Sequence, residues 1–466
     1  MNPVGEASTS VLAFRGGMIG ALLPFLVFVV GVILIALAGA PDERGFWPVL
    51  LLAMSIGLLL AKDKTAFSQV VIKGMSQSIV MIMIMAWMLA SIIGVLMAST
   101  GFVEALTWLS SQLNLSGGGF VITGFMICSL VSLSTGSSFA TILICGPVLY
   151  PAGGLLGAPP DVLAGAILAG ATLGDFIAPI SDTTIASALS QEADIGSTVK
   201  SRVKYILPAA VIALIGYGIA GYLGQGAATG DAQQLLGDPT GLPMLSVPLF
   251  IIYLFLRGKH LLHGLLMGLL FGILLGLVLG LLPFSELFSL DLENFTAKSL
   301  VIDGINRAVG ISFFTILLMG LVTTLKAGGL IDQLVRFANQ RSNNARQTEA
   351  WIAGTVGAAV LLTTHSIVAI LMVSEFANST GRKQGVSPKR RANLLSMMVS
   401  IFPFLLPYCI PVILMANTTL SGAAFDIPSV APLKTGLFNF ISWGLLLVTL
   451  AAIAFGYGRK RDQQND

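Results

Sequence analysis

The sequence predicts an all-α polytopic membrane protein, built as two inverted repeats of five transmembrane helices plus one re-entrant hairpin each, with broken helices at mid-membrane. Three observations predict it. Of 466 residues, 55% are hydrophobic and 10% are charged, against about 25% charged in soluble domains. Apolar runs long enough to cross a bilayer recur from end to end. Landmarks of the first half also return in the second at a near-constant offset. Gly101-Phe102-Val103-Glu104 returns as Gly329-Leu330-Ile331-Asp332, 228 positions on, and the hydroxyl-rich centre at Thr135 returns at Thr364, 229 on. Phe176-Ile177-Ala178-Pro179 returns as Phe404-Leu405-Leu406-Pro407, again 228 on.

In chain order, full spans are expected near 18–40, 47–61, 74–98, 162–189 (interrupted), 205–223, 243–256, 261–282, 299–325, 392–420 (interrupted) and 435–457. Two further apolar stretches, 118–150 and 350–377, are broken by hydroxyl centres, Ser134-Thr135-Gly136-Ser137-Ser138 and Thr363-Thr364-His365-Ser366. Charge decides whether these cross the membrane or fold back. Cytoplasmic loops concentrate Lys and Arg. With both stretches as hairpins and both termini inside, all of the 25 basic residues except Arg44, Lys298, Lys434 and the intramembrane Arg307 fall on one side. Making either stretch a full span splits them. The whole chain 1–466 is then one transmembrane unit, with 18–224 as the first repeat and 243–458 as the second. Five spans plus a hairpin is an odd number of crossings, so the second copy runs upside down, as in secondary transporters. The connections 224–242 and 284–297 are expected to be short, without globular inserts.

The chemistry concentrates in Gly174-Asp175-Phe176-Ile177-Ala178-Pro179-Ile180-Ser181-Asp182-Thr183-Thr184. A carboxylate in hydrocarbon costs at least about 2.5–3.5 kcal/mol, so Asp175 and Asp182 are functional candidates. Pro179 breaks the helix, and the freed backbone groups persist at membrane depth only inside protein or around a wet cavity. Ser181-Asp182 also reads as an N-cap for the second half-helix. Ser134, Thr135, Ser137 and Ser138 on one hairpin, with Thr364 and His365 on the other, can present oxygens and half-helix ends to an ion. These hard oxygens suit a small cation, with Asp175 and Asp182 as its candidate acidic ligands. Asp303 and Arg307, four apart, read as a local ion pair. Cys128, Cys145 and Cys409 have no metal-ligand spacing and read as buried small hydrophobes. Gly268, Gly272, Gly276 and Gly280 mark a small-residue face, for scaffold packing or a homodimer contact. No cofactor and no nucleic-acid partner is expected, nor an enzyme. An intramembrane aspartyl protease needs its carboxylates on separate facing spans, whereas these two share one broken segment.

The segment from Gly174 to Thr184 resembles the signature of the NhaC-type sodium:proton antiporters, and Gly136-Ser137-Ser138-Phe139-Ala140-Thr141 with Gly146-Pro147 resembles that family's first hairpin tip. The resemblance spans about 75–455. It implies inverted repeats, elevator-like motion and exchange of sodium for protons across a bacterial cytoplasmic (inner) membrane, with Asp175 and Asp182 in the acidic positions. Phe176 and Ala178 depart from the polar pattern, and Phe402-Pro403-Phe404-Leu405-Leu406-Pro407-Tyr408 is less polar than usual. The second half then offers Thr364, His365, Asn417 and Thr418 as candidate ligands. Some relatives move organic or amino acids, so a cation-coupled carrier of a small carboxylate or amino acid is the alternative.

Overall fold

A computed structural model describes residues 12–37, 43–112, 115–179, 181–224, 226, 238–257, 259–291, 296–364 and 366–459. The chain is almost wholly helical. The helices are α1 Gly17–Leu37, α2 Phe46–Leu60, α3 Lys64–Met75, α4 Ser78–Ser99, α5 Phe102–Gln112, α6 Gly117–Thr135, α7 Ser138–Leu155, α8 Pro160–Ile177, α9 Asp182–Leu189 and α10 Ile195–Leu223. They continue as α11 Ser246–Leu256, α12 Leu261–Val278, α13 Phe284–Leu287, α14 Leu300–Ala327, α15 Leu330–Gln340, α16 Ala345–Thr363, α17 Ser366–Lys383, α18 Pro388–Val399, α19 Ile410–Thr418, α20 Pro432–Leu437 and α21 Phe440–Phe455. Among the described residues, eight helical segments are long and apolar enough to cross a membrane, which makes this a multi-pass membrane protein.

Helix boundaries repeat in one register. The starts of α5, α6, α7, α8 and α9 recur at α15, α16, α17, α18 and α19, each 228 residues later. The hairpin turns obey the same offset. Gly136 closes α6 in the left-handed region at φ 65°, and Thr364 closes α16 there at φ 53°. The register thus pairs Thr135 with Thr363, one residue off the spacing read from the hydroxyls. Glycine adopts that conformation freely, whereas a threonine is strained in it.

The hairpins enter from opposite ends of the interrupted α8–α9 helix. The base of the first lies beside the start of α8: a Cβ on Gly117 would meet the Ala158 nitrogen at 2.4 Å. The base of the second is tied by Gln384 Nε2 donating to Ser342 O at 3.1 Å. It meets the far end of α9, where Arg391 Nε donates to Gln191 Oε1 at 3.1 Å. Contacts gather the basic segments at that far end: Leu12 N donates to Ala327 O at 2.8 Å, and Lys204 Nζ to Gly458 O at 3.1 Å.

Several expectations change. α10 begins at Ile195, about ten residues before its apolar run, and carries Arg202 into the interior at 0% exposure. Arg390 and Arg391 are not loop charges either; both are buried in α18. Arg390 and Arg459 share the buried Glu349 at 3.1 and 2.7 Å, pinning the second hairpin to the C-terminal helix. The segment 64–75, read as a loop and the start of a span, is the separate helix α3. The 284–297 connection carries α13 and a two-stranded ribbon, Ser289–Asp291 against Thr296–Lys298. The 435–457 span is two helices, α20 and α21. Gly268 and Gly272 pack inside the chain as scaffold, on Ile251 and on Leu96 and Val247. All three cysteines are free and buried. Most of the 224–242 connection lies outside the described residues.

Candidate functional site

The first hairpin reaches the break because glycines let two backbones touch. A Cβ on Gly170 would meet Phe125 O at 2.4 Å, and one on Gly174 would meet Ser129 O at 2.3 Å and Leu133 N at 2.5 Å. Arm α6 therefore lies directly on α8. That contact sets Ser138, the first residue of α7, opposite Asp175, and Ser138 Oγ donates to Asp175 Oδ2 at 2.8 Å. Hydrogen bonds to a carboxylate are among the stronger ones, at about 1.5–3 kcal/mol.

Asp175 faces a cavity of about 90 Å³ on which both hairpin tips and both helix breaks converge. The first half of the chain contributes Ser137, Ser138, Asp175, Ser181, Asp182 and Thr183 to its wall, and the second half contributes Thr364, Ser366, Ser400 and Pro403. Asp175 is half-buried and Asp182 exposed. Four half-helix ends meet here. Those of α6 and α8 bring carbonyls, which favour cations, and those of α7 and α9 bring amides, which favour the carboxylates. Carboxylates, hydroxyls and carbonyl ends form a hard-oxygen site for a small cation.

Not every candidate reaches the cavity. Ser181 occupies the N-cap position of α9 but caps no amide; its hydroxyl pairs with that of Thr183 at 3.0 Å. Ser137 caps α7 through Ala140 N at 3.2 Å as well as lining the wall. Ser134 and Thr135 stand outside the lining, and the Thr135 hydroxyl bonds within its own turn, to Ser132 O at 3.4 Å. Thr184 is turned away from the cavity, accepting from Arg202 Nη1 at 2.7 Å. His365 lies outside the described residues. Asn417 sits in another cavity, donating to Arg307 O at 3.2 Å.

Two arginines take places that the sequence does not announce. Arg202 lies behind the break. Its Nη1 donates to Phe176 O at 2.6 Å, its Nη2 to Ser187 Oγ at 3.3 Å and its Nε to Asn393 Oδ1 at 3.0 Å, while Cζ stands 4.9 Å from the Phe176 ring centre. In sequence it reads as a loop charge, because the apolar period begins only at Tyr205. Arg307 is the other. Asp303 is exposed, and among the described residues no ion pair joins it to Arg307. The guanidinium instead lines a cavity of about 20 Å³ with Trp87, Asn417 and Ser421. This second cavity lies one helical turn from the first along three helices, passing from Met83 to Trp87, from Phe139 to Leu143 and from Ile410 to Leu414.

Paired hairpins, two breaks and a carboxylate cavity between them define a class, the all-α polytopic membrane proteins with interrupted helices. Residues 7–222, which hold the first hairpin and the first break, match the model of the Na+/H+ antiporter family. The Na(+)/H(+) antiporter NhaC of Alkalihalophilus pseudofirmus is 26% identical over 351 residues, 70% of this chain and 75% of that protein. The malate-2H(+)/Na(+)-lactate antiporter of Bacillus subtilis is 25% identical over 213 residues, 46% of this chain and 43% of its own length. The arginine/ornithine antiporter ArcD of Halobacterium salinarum is 30% identical over 132 residues, 28% and 27% of the two chains. The resemblance to NhaC-type antiporters read from the sequence is borne out.

Proposed function

We propose that the protein exchanges sodium, or a similar monovalent cation, for protons by alternating access, with Asp175 and Asp182 holding the cation. One observation carries this reading: the Asp175 carboxylate, bonded to the tip of one hairpin, faces the cavity that the other hairpin tip and both helix breaks share. A site that binds either a cation or a proton at one carboxylate, never both, couples their movement in opposite directions. Ser137, Ser138, Ser181, Thr183 and Thr364 complete the oxygen lining. In this reading the units 18–224 and 243–458 are inverted repeats, the end bearing the basic segments is cytoplasmic, and the membrane is a bacterial inner membrane. Proteoliposomes with an imposed pH gradient test the exchange: added sodium should collapse the gradient in a saturable manner, and a gradient indifferent to sodium, lithium and potassium rejects it.

A second reading, exchange of a small carboxylate or amino acid coupled to a cation, is favoured by Arg307. An arginine inside a membrane-spanning helix is costly, and its planar fork suits a carboxylate. Asp303 acts on it only at a distance, with no carboxylate within ion-pair range among the described residues, and its cavity adjoins the cation site. Lactate, malate and arginine added to the same vesicles separate the two readings, because only the second predicts that sodium-driven flux requires the organic ion.

A further inference from the structure

Arg202 is fully buried, and among the described residues no carboxylate lies within ion-pair distance of it. Among the described residues, its hydrogen bonds go to neutral acceptors around the break: the Phe176 carbonyl, the Thr184 and Ser187 hydroxyls, and the Asn393 amide oxygen. The other repeat shows what the backbone alone needs. The carbonyl in register with Phe176 is that of Phe404, and it accepts from the neutral side-chain amide of Asn439 at 3.2 Å. Capping this carbonyl therefore requires a donor but no charge. The positions in register with Asp175 and Asp182 are Pro403 and Ile410, and the donor to the Phe404 carbonyl is the neutral Asn439 where the donor to Phe176 is Arg202. Two negative charges and one positive charge are present together in one repeat and absent together from the other.

We propose that Arg202 is the fixed counter-charge of the Asp175–Asp182 pair, and that it sets at one the number of monovalent cations the site takes up. With both carboxylates ionised and Arg202 charged, the site carries one net negative charge. A single monovalent cation neutralises it, and a single proton does the same, so either load crosses the apolar interior uncharged. Burial keeps the guanidinium charge unscreened by salt, and an arginine holds its proton throughout the cycle. Arg202 touches neither cavity nor cargo, which makes it a positioning residue acting through field and geometry.

This inference rests on the cation-exchange reading above. The test measures sodium-dependent proton flux in proteoliposomes for wild type, Arg202→Lys and Arg202→Gln, with the melting temperature of each. Wild type and Arg202→Lys, both charged, should show hyperbolic sodium dependence. Arg202→Gln, which keeps an amide donor as Asn439 does, should show sigmoidal dependence as a second cation completes neutralisation. Its half-saturating sodium should fall about tenfold, the scale of a unit charge acting through partly screened protein. Asn393→Asp supplies an independent variant, placing a carboxylate against Arg202 Nε while the clamp stays whole, and it should shift the curve as Arg202→Gln does. A folded Arg202→Gln with wild-type sodium dependence overturns the proposal. So do Lys and Gln variants altered alike, which would return Arg202 to a geometric cap, and so does an Asn393→Asp curve that stays hyperbolic. Wild-type vesicles lacking sodium-driven flux overturn the exchange reading itself, a result separate from any difference among variants.

Discussion

At the first helix break the Phe176 carbonyl accepts from a buried guanidinium, and the residues around it are Asp175, Ser181 and Asp182. At the second break, residues 400–409, the Phe404 carbonyl, 228 residues on, accepts from the Asn439 amide and is followed by Leu405-Leu406-Pro407-Tyr408. Tyr408 is held in the core, its ring centre 5.7 and 6.1 Å from those of Phe28 and Phe25 and its hydroxyl donating to Leu361 O at 3.2 Å. The two breaks share a proline, a turn and one donor to the same carbonyl, although α18 ends six residues earlier in register than α8. Charge is added at one break and apolar packing at the other. The charged break fits a ligand site and the apolar break an anchor for the wall opposite.

The packing beneath the breaks differs as well, and the largest expected effect lies there. In the first repeat the small residue is on α8, and a methyl at Gly174 meets backbone atoms of α6 at 2.3 and 2.5 Å that cannot give way. In the second the small residue is on the hairpin arm, where a methyl at Gly357 meets the edge of the Phe402 ring at 2.8 Å. Gly174→Ala should therefore destabilise by about 3 kcal/mol and displace the hairpin tip, whereas Gly357→Ala should cost about 1 kcal/mol. Thermal melts of the purified variants check this, and equal losses would mean that the two interfaces yield alike.

A smaller contrast is expected at the tips. Ser138→Ala removes a hydrogen bond to a carboxylate and should raise the sodium KM by about tenfold or more. Ser137→Ala removes a capping hydroxyl on the same wall, so its effect on KM should be less. The Thr364 hydroxyl bonds to its own neighbour, Thr363 O, at 2.7 Å. Thr364→Ala should shift the sodium KM least of the three. A larger effect at Thr364 would move the ligand set toward the second hairpin.

The smallest expected effect on transport is at Asn439. Asn439→Ala orphans the Phe404 carbonyl and removes the cap that its Oδ1 gives Ser442 N at 3.2 Å. A loss of about 2 kcal/mol in stability is expected with the sodium KM unchanged. A KM that shifted with intact folding would give the second break a direct part in the site.

The common offset of five helix starts was legible because its landmarks are backbone devices. Prolines, hydroxyl centres and the glycine-led starts of amphipathic helices announce turns and breaks whatever surrounds them. Asp175 was legible for a similar reason, since a carboxylate amid apolar sequence has no ordinary packing role. Burial of arginine was not. The acceptors of Arg202 lie from 15 to 191 residues away and are all neutral, so no charge pattern announces them. Arg307 misled in the opposite way: its i, i+4 spacing to Asp303 permits a pair, but Asp303 faces outward. The hydroxyls of 134–138 and 181–184 could not be sorted from sequence. Whether each turns to the cavity, to a helix end or to Arg202 depends on a rotation of a few tens of degrees.

Proton release on cation binding tests most directly whether Asp175 is the shared site. Purified protein in weakly buffered detergent solution near neutral pH, with a pH dye, should release protons when sodium is added, and raising the proton concentration should raise the apparent sodium KM. Asp175→Asn keeps the size and one oxygen but cannot exchange a proton for a cation. It should show neither effect. An Asp175→Asn protein that still released protons on sodium addition with wild-type amplitude would contradict the assignment and move the exchange to Asp182 or His365.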